Sequence, residues 1–357
     1  METAALHYDL PDSAIAQQPM EPRDAARLLV VTAGGTEHLN VRDLDALVDR
    51  GDILVVNDTK VMPARLHLAK ATGGAVEVLL LSRLADGDWE ALVRPSRRVS
   101  QGSLLYASTG DGVDRPVLTV GEKVGGVGPT RRVRFMAEPH EEAELLQQLG
   151  EVPLPPYIHE HLDDPERYQT VFARRSGSVA APTAGLHLTE ALLGRCEAAG
   201  VVVCRVELEV GLGTFRPITV DRVEDHPMHA ERYRIPAATL QTLEPFLGQP
   251  SGGDGPKVIA VGTTTVRALE SWAATGLASG ETSLFIHGDY PFRVVDRLMT
   301  NFHVPGSSLL AMVEAFAGPG WRELYSSALE NGYRFLSFGD AMLIDRRSLM
   351  HGTGGGT

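Results

Sequence analysis

Gly51-Asp-Ile-Leu-Val-Val-Asn57-Asp-Thr-Lys-Val-Met-Pro63 decides the fold, because the texture of the chain changes across it. Gly51 to Asn57 is an apolar run bounded by turn residues, the pattern of a buried strand. Upstream, Asp24 to Thr32 reads as a short strand after the Pro22-Arg23-Asp24 turn, and Val41 to Asp49 has helical spacing with Leu44, Leu47 and Val48 on one side. Downstream of Pro63 the runs Ala75–Leu81, Trp89–Val93, Val117–Val120 and Arg131–Phe135 are strand-like and separated by Gly-rich turns. Strands at that spacing predict a small barrel or sandwich. Glu141 to Leu149 looks helical, and Pro153-Leu-Pro-Pro156 punctuates the chain.

From Tyr157 onward the alternation returns. Val201–Leu208, Lys257–Val261 and Ser283–Ile286 read as strands; Glu190–Ala199, Val266–Ala274, Ser307–Phe316 and Trp321–Asn331 read as helices. Alternation of this kind implies α/β layers. The chain is therefore expected to be an α/β domain, residues 1–65 and 151–350, interrupted by an all-β insert at 66–150. A Gly-rich tail at 351–357 is expected to be disordered.

At 357 residues and 43% hydrophobic content the chain can build two real cores. No run is long enough to span a membrane, and the N-terminus lacks a basic-then-apolar signal, so a cytoplasmic protein is expected. Cys196 and Cys204 make neither a disulfide framework nor the thiolate set of an iron–sulfur cluster. A net charge of −13 argues against broad coating of nucleic acid, whose non-specific affinity comes from cations on phosphates. An RNA partner would need a local patch: Arg94, Arg97 and Arg98; Arg131, Arg132 and Arg134; or Arg174 and Arg175.

Several motifs carry possible chemistry. Gly177-Ser-Val-Ala-Ala-Pro-Thr-Ala-Gly-Leu-His-Leu-Thr189 is built of small residues that let backbone approach a ligand, with one imidazole at His187. His226-Pro-Met-His229-Ala-Glu231 reads as an acid–base cluster, a structural turn or a metal site. Pro227 disrupts the helical spacing that a zinc pair needs, so no metal is expected. Val210-Gly-Leu-Gly-Thr214 lacks the third Gly of a dinucleotide fingerprint and meets Pro217 instead of a helix. Gly262-Thr-Thr-Thr-Val-Arg267 is a strand–turn–helix junction suited to an anion or simply to Thr capping. Arg267 could add a bidentate contact there. Thr300-Asn-Phe-His303 and Ser337-Phe-Gly-Asp340 place polar groups at the ends of β-like stretches, where α/β sheets bind ligands.

Together with Asn57–Arg65, Tyr168-Gln-Thr170, Gly211–Pro217 and Tyr333–Met342, in this order, these motifs resemble the S-adenosylmethionine:tRNA ribosyltransferase-isomerase family of queuosine biosynthesis, from Tyr8 to about Ile344. The resemblance implies a mixed-sheet α/β domain interrupted by a small β-barrel. It also implies transfer and isomerisation of the ribosyl moiety of S-adenosylmethionine onto the aminomethyl group of a 7-deazaguanine in tRNA, with adenine and methionine released. S-adenosylmethionine is then a substrate, with no prosthetic group, and a monomer is expected. The candidate acid–base set is His187, Glu209, His229, Glu231 and Asp340. The candidate S-adenosylmethionine set is Ala181, Pro182, Thr183, Ala184, Gly185, Gly211, Gly213, Thr214, Gly262, Thr263, Thr264, Arg267, Asn301, His303, Phe338 and Gly339.

The chain departs from the family pattern in several places. Glu209 stands where His is usual before Gly211, Leu188 where Phe is, and Ala230 where Ser is; His287-Gly-Asp-Tyr290 and Val304-Pro-Gly-Ser307 are also altered. Loss of a Lys in the last segment removes a possible phosphate contact. Two other functions stay open: transfer from S-adenosylmethionine to a small-molecule acceptor, and non-catalytic RNA binding. Glu209 sits on a strand whose alternate residues Val206, Leu208 and Val210 face the other way, so it either attracts a cation at the site or points to solvent.

Overall fold

The computed structural model describes residues 1–108, 114–124, 129–211, 217–248 and 255–348. The expected tail and the candidates Gly213 and Thr214 lie outside those residues. The chain divides into two compact units. One comprises Met1–Lys60, Pro155–Ser176 and the chain from Ala181 onward; the other comprises Val61–Leu154 with Gly177–Ala180.

The larger unit is built on a nine-stranded mixed sheet. Its order is Ser279–Thr282, Glu231–Arg234, Val202–Leu208, Ile53–Asn57, Val258–Val261, Arg297–Asn301, Ala341–Asp345, Arg27–Thr32 and Gly35–Asn40. The four strands from Val202–Leu208 to Arg297–Asn301 run parallel. Every residue of Ile53–Asn57, Val258–Val261 and Arg297–Asn301 is buried, as parallel strands covered on both faces require. Ala341–Asp345 runs antiparallel to Arg297–Asn301 with Asn301 opposite Ala341. Its first residues therefore meet the C-terminal ends of the parallel strands. Asn57, Leu208, Gly262, Asn301 and Asp340 all belong to this one edge of the sheet.

The expected elements at Gly51–Asn57, Glu190–Ala199, Val201–Leu208 and Lys257–Ala274 form close to their anticipated bounds. Thr189 caps the helix Glu190–Ala199, its Oγ1 accepting from Leu192 N–H at 3.1 Å, and Gly200 ends it at φ +97°. Three expectations need correction. Val41–Ala46 is a 3-10 helix, because the run between the Asn40–Asp43 capping box and Leu47 is under two turns. The Asp24–Thr32 strand begins only at Arg27, since Arg23–Ala25 makes a 3-10 turn. Ser283–Ile286 is not a strand. The strand there is the polar edge Ser279–Thr282, paired with Glu231–Arg234, and Phe285 instead packs its ring against His226 and His287.

The smaller unit is a closed six-stranded barrel. Arg65–Lys70, Ala75–Arg83, Trp89–Arg94, Thr130–Phe135, Asp114–Lys123 and Leu104–Ser108 pair in sequence, and the last returns to the first. Alternate residues such as Val78, Leu80, Ala91 and Val93 fill the interior. The helix Pro139–Leu149 is anchored through Glu142, which accepts from Trp89 Nε1 at 2.8 Å and pairs with Arg83.

Candidate active site

The small-residue loop and three strand ends meet at that sheet edge. Ala181, Pro182, Thr183 and Ala184 line one narrow pocket with Val210, Gly262, Thr263, Thr264, Thr300, Asn301 and His303. Thr183, Asn301 and His303 also line an adjoining pocket with Tyr157, Phe302 and Ser337. The smallness of the loop has a packing cause as well. A Cβ on Gly185 would lie 2.7 Å from Phe172 Cζ and 3.0 Å from Thr170 Cγ2. That explains why the Tyr168-Gln-Thr170 segment accompanies the loop.

Asn301 is the junction of the pocket. Its Oδ1 accepts from Thr183 Oγ1 at 2.9 Å, and its Nδ2 donates to His187 Nε2 at 3.1 Å and to the Asp340 carbonyl at 3.4 Å. An amide nitrogen only donates, so His187 Nε2 accepts and the imidazole carries its proton on Nδ1. Burial pushes the His187 imidazole down to about 3, and the positive charges of Arg334, Arg23 and Arg167 add to this. His187 is thus a neutral hydrogen-bond acceptor. It faces a second small cavity with Arg23, Arg167, Ser337 and Phe338. Phe338 packs edge-on to Tyr168, at 5.9 Å between ring centroids.

His303 is also buried and held down to about 3 by burial. Its Nε2 pairs with Thr300 Oγ1 at 2.9 Å. Its backbone is gripped on both sides: Tyr8 OH donates to the carbonyl at 2.6 Å, and the N–H donates to Tyr325 OH at 3.2 Å. Gly306, where a Lys is usual in the resembled family, adopts φ +66°, and a Cβ would stand 3.0 Å from His7 Nε2. A side chain at that position would be strained by the backbone conformation and would push the His7 ring aside by a few tenths of an ångström.

Strand Val258–Val261 enters its helix through Gly262, at φ +91° and ψ 149°, a combination open to Gly alone. No side chain caps this N-terminus. Thr264 Oγ1 accepts from Asn57 Nδ2 at 3.3 Å. Asn57 also brackets Leu208, accepting from its N–H at 3.1 Å and donating to its carbonyl at 3.0 Å, which fixes the ends of two neighbouring strands. Asn57, Thr300, Tyr8 and Tyr325 were not among the sequence candidates. A polar residue closing an apolar run marks Asn57 and Thr300; nothing local marks the tyrosines.

Arg267 does not turn toward the pocket. It is buried and paired with Glu231, with Nε donating to the Leu284 carbonyl at 3.1 Å and Nη2 to the Thr282 carbonyl at 3.3 Å. The other Glu231 oxygen accepts from Gly211 N–H at 3.0 Å. Glu209 and His229 are exposed, whereas Val206, Leu208 and Val210 are buried, so the strand alternation extends through Glu209. The protein packed around the base of Glu209 nonetheless raises its carboxyl, with Glu207 adding to the shift and Arg232 opposing it.

Asp340 is buried and its carboxylate is committed to the backbone. Oδ1 accepts from Arg27 N–H at 3.0 Å and Oδ2 from Arg334 N–H at 2.8 Å. Gly339 beside it has no room for a side chain, since a Cβ would lie 2.4 Å from the Arg334 carbonyl oxygen and 2.5 Å from Phe335 C. Gly339→Ala is expected to destabilise the unit by about 1–3 kcal/mol, the range for overpacking against atoms that cannot yield. Urea unfolding measures it, and an unchanged midpoint would show that the turn relaxes freely.

In the barrel unit, Arg132 pairs with Asp86, Asp88 and Glu122, and Arg134 pairs with Asp88. Arg131 donates to the carbonyls of Ser96 and Val99. Arg94, Arg97 and Arg98 are exposed and make no ion pair among the described residues. Arg174 and Arg175 are exposed on the α/β unit, and Arg175 pairs with Glu207 at 2.9 Å. Among the described residues no group of three His, Cys, Asp or Glu is placed to hold a metal, and no helix is long and apolar enough to cross a membrane.

This geometry has relatives. The chain is 46% identical over 347 residues to an S-adenosylmethionine:tRNA ribosyltransferase-isomerase of Rubrobacter xylanophilus, covering 96% of this chain and 98% of the relative. It is 47% identical over 354 residues to one of Moorella thermoacetica, covering 96% and 100%. A crystal structure of the S-adenosylmethionine tRNA ribosyltransferase of Thermotoga maritima aligns with a TM-score of 0.52 at 34% identity, over 95% of this chain and 99% of that one. The family described as queuosine biosynthesis protein matches residues 3–344. The chain belongs to the queuosine biosynthesis protein family.

Proposed function

We propose that the chain transfers and isomerises the ribosyl moiety of S-adenosylmethionine onto the aminomethyl group of 7-aminomethyl-7-deazaguanine in tRNA, giving epoxyqueuosine and releasing adenine and methionine. The observation that carries this is the convergence of Ala181–Ala184, Gly262–Thr264, Asn301 and His303 on one buried pocket in a chain that is near-full-length similar to enzymes of that name. S-adenosylmethionine is a substrate, and the chain acts as a cytoplasmic enzyme.

The sulfonium acidifies the neighbouring C5′ proton, and adenine departs more readily once a ring nitrogen is protonated. The small, nine-tenths-buried walls exclude water from the charged intermediate. Proton transfer needs a group whose ionisable atoms are open. Glu231 and Asp340 have theirs committed to Arg267, Gly211, Arg27 and Arg334, and His187 gives Nε2 to Asn301. We therefore assign the positioning of the pocket wall to His187, Glu231 and Asp340; Glu209 and His229 are exposed and line none of these pockets, so neither is given the proton transfer.

The test is incubation with S-adenosylmethionine, with and without tRNA bearing 7-aminomethyl-7-deazaguanine, following adenine by chromatography. Release that requires the modified tRNA is expected. Release with a small amine instead, or none under either condition, overturns the assignment.

We propose Arg94, Arg97 and Arg98 for the tRNA-backbone contact; the ion pairs that neutralise Arg132 and Arg134 favour them over those two. Replacing all three with Ala is expected to raise the KM for tRNA and to flatten its dependence on salt by roughly one unit of log–log slope per arginine. The KM for S-adenosylmethionine should not move. An unchanged salt slope would remove this face from the tRNA site.

A further inference from the structure

We infer that the N-terminus of the helix Thr263–Thr275 holds the carboxylate of the methionyl part of S-adenosylmethionine, with Thr263 Oγ1 and the first two backbone N–H groups donating to it. The inference rests on the S-adenosylmethionine reading above and names which part of that molecule lies where.

Two independent observations support it. The first is the helix start itself. Gly262 offers no side-chain cap, and the first carbonyl bonds of the turn serve Thr265 and Val266, whose N–H groups donate to the Gly262 carbonyl at 3.1 and 3.3 Å. The N–H groups of Thr263 and Thr264, two residues that line the pocket, donate to nothing within the protein and stand at the positive end of a 13-residue helix. The second is Thr263. Its side chain is 6% exposed and lines the pocket, and its hydroxyl makes no hydrogen bond within the protein. The hydroxyl opens into the pocket and is not sealed inside the protein, so a polar atom of a ligand can reach it. Thr264 differs, since its Oγ1 is occupied by Asn57.

The rest of the wall decides the kind of anion. Among the described residues the pocket is lined by no Asp, Glu, Lys or Arg, so the helix end is the main fixed potential they supply. Arg267, the one cation a turn inside, is spent on Glu231. The walls around Thr263, among them Ala181, Ala184 and Val210, are apolar and buried. Such a recess takes the end of a small molecule and not a polynucleotide strand, so the anion is the carboxylate and not a tRNA phosphate.

The experiment compares S-adenosylmethionine with its decarboxylated analogue, both by equilibrium binding and as substrates with modified tRNA. Wild-type protein should bind the analogue at least tenfold more weakly, the loss of a charge-assisted contact. Thr263→Val should raise the KM for S-adenosylmethionine about tenfold, leave that for the analogue unchanged, and so narrow the discrimination. Thr263→Ser keeps the hydroxyl and should behave as wild type. Equal binding of the two compounds by wild type overturns the inference, whatever the variants do. So does an equal change for both compounds in Thr263→Val, or a change confined to the KM for tRNA. If wild type binds S-adenosylmethionine with discrimination but releases no adenine, the ribosyl-transfer reading fails while the carboxylate site stands.

Discussion

Glu231→Ala is expected to cost about 3–5 kcal/mol of folding stability, the effect of leaving one member of a buried ion pair without its partner. Glu231 and Arg267 are both about one-twentieth exposed. Removing the carboxylate strands the guanidinium inside the protein and also deprives Gly211 N–H of its acceptor. The main-chain carbonyls of Thr282 and Leu284 stay with Arg267 but carry no neutralising charge. The double variant Glu231→Leu with Arg267→Met should be less destabilised than the single one, because both charges then leave together. Urea unfolding of the three proteins measures this. A single variant within 1 kcal/mol of wild type would mean that water reaches the pair. The same arithmetic explains why Arg267 cannot serve as an anion-binding residue: withdrawing it to meet a ligand would strand Glu231.

The outcome at Arg267 also shows what a sequence can and cannot reveal. The strand, Gly262 and helix start were legible because local rules govern them: an apolar run, a residue permitting φ +91°, and a helical pattern after it. The direction of a side chain one turn further in was not. Arg267 faces Glu231, 36 residues away, only because the polar edge strands Glu231–Arg234 and Ser279–Thr282 close over that side of the sheet. Those strands have no apolar alternation to announce them, which is also why Ser283–Ile286 attracted the strand assignment instead. Asp340 was visible as a polar residue at a strand end. Its hydrogen bond from Arg27 N–H, 313 residues away, follows from the reversed strand Ala341–Asp345 lying beside Arg27–Thr32, a pairing the chain order does not suggest. The barrel was legible as strand–turn texture, but its closure by Arg65–Lys70 depends on a strand whose pattern begins at the boundary itself.

The second large effect concerns acid. His187 and His303 are both buried and both held down to about 3, whereas an imidazole in the unfolded chain titrates near 6.5. Between those values the unfolded chain binds more protons than the folded one, so stability rises with pH across the window and is lost as pH falls. Above about 6.5 both groups are neutral in both states and cost nothing. Below it each loses roughly 1.4 kcal/mol per pH unit. Going from pH 6.5 to 4.5 should therefore remove about 2 kcal/mol for each histidine, or about 4–5 kcal/mol together. The loss would be felt at the pocket, because His187 holds Asn301 and His303 is tied to Thr300. His187→Gln isolates one contribution, since its side-chain carbonyl can still accept from Asn301 Nδ2 but cannot be protonated in this range. Between pH 6.5 and 4.5 it should lose about 2 kcal/mol less stability than wild type, read from urea midpoints at pH 4.5, 5.5 and 6.5. Equal slopes in the two proteins would mean that His187 takes up a proton without unfolding, and the neutral, accepting imidazole assigned to the Asn301 junction would be wrong.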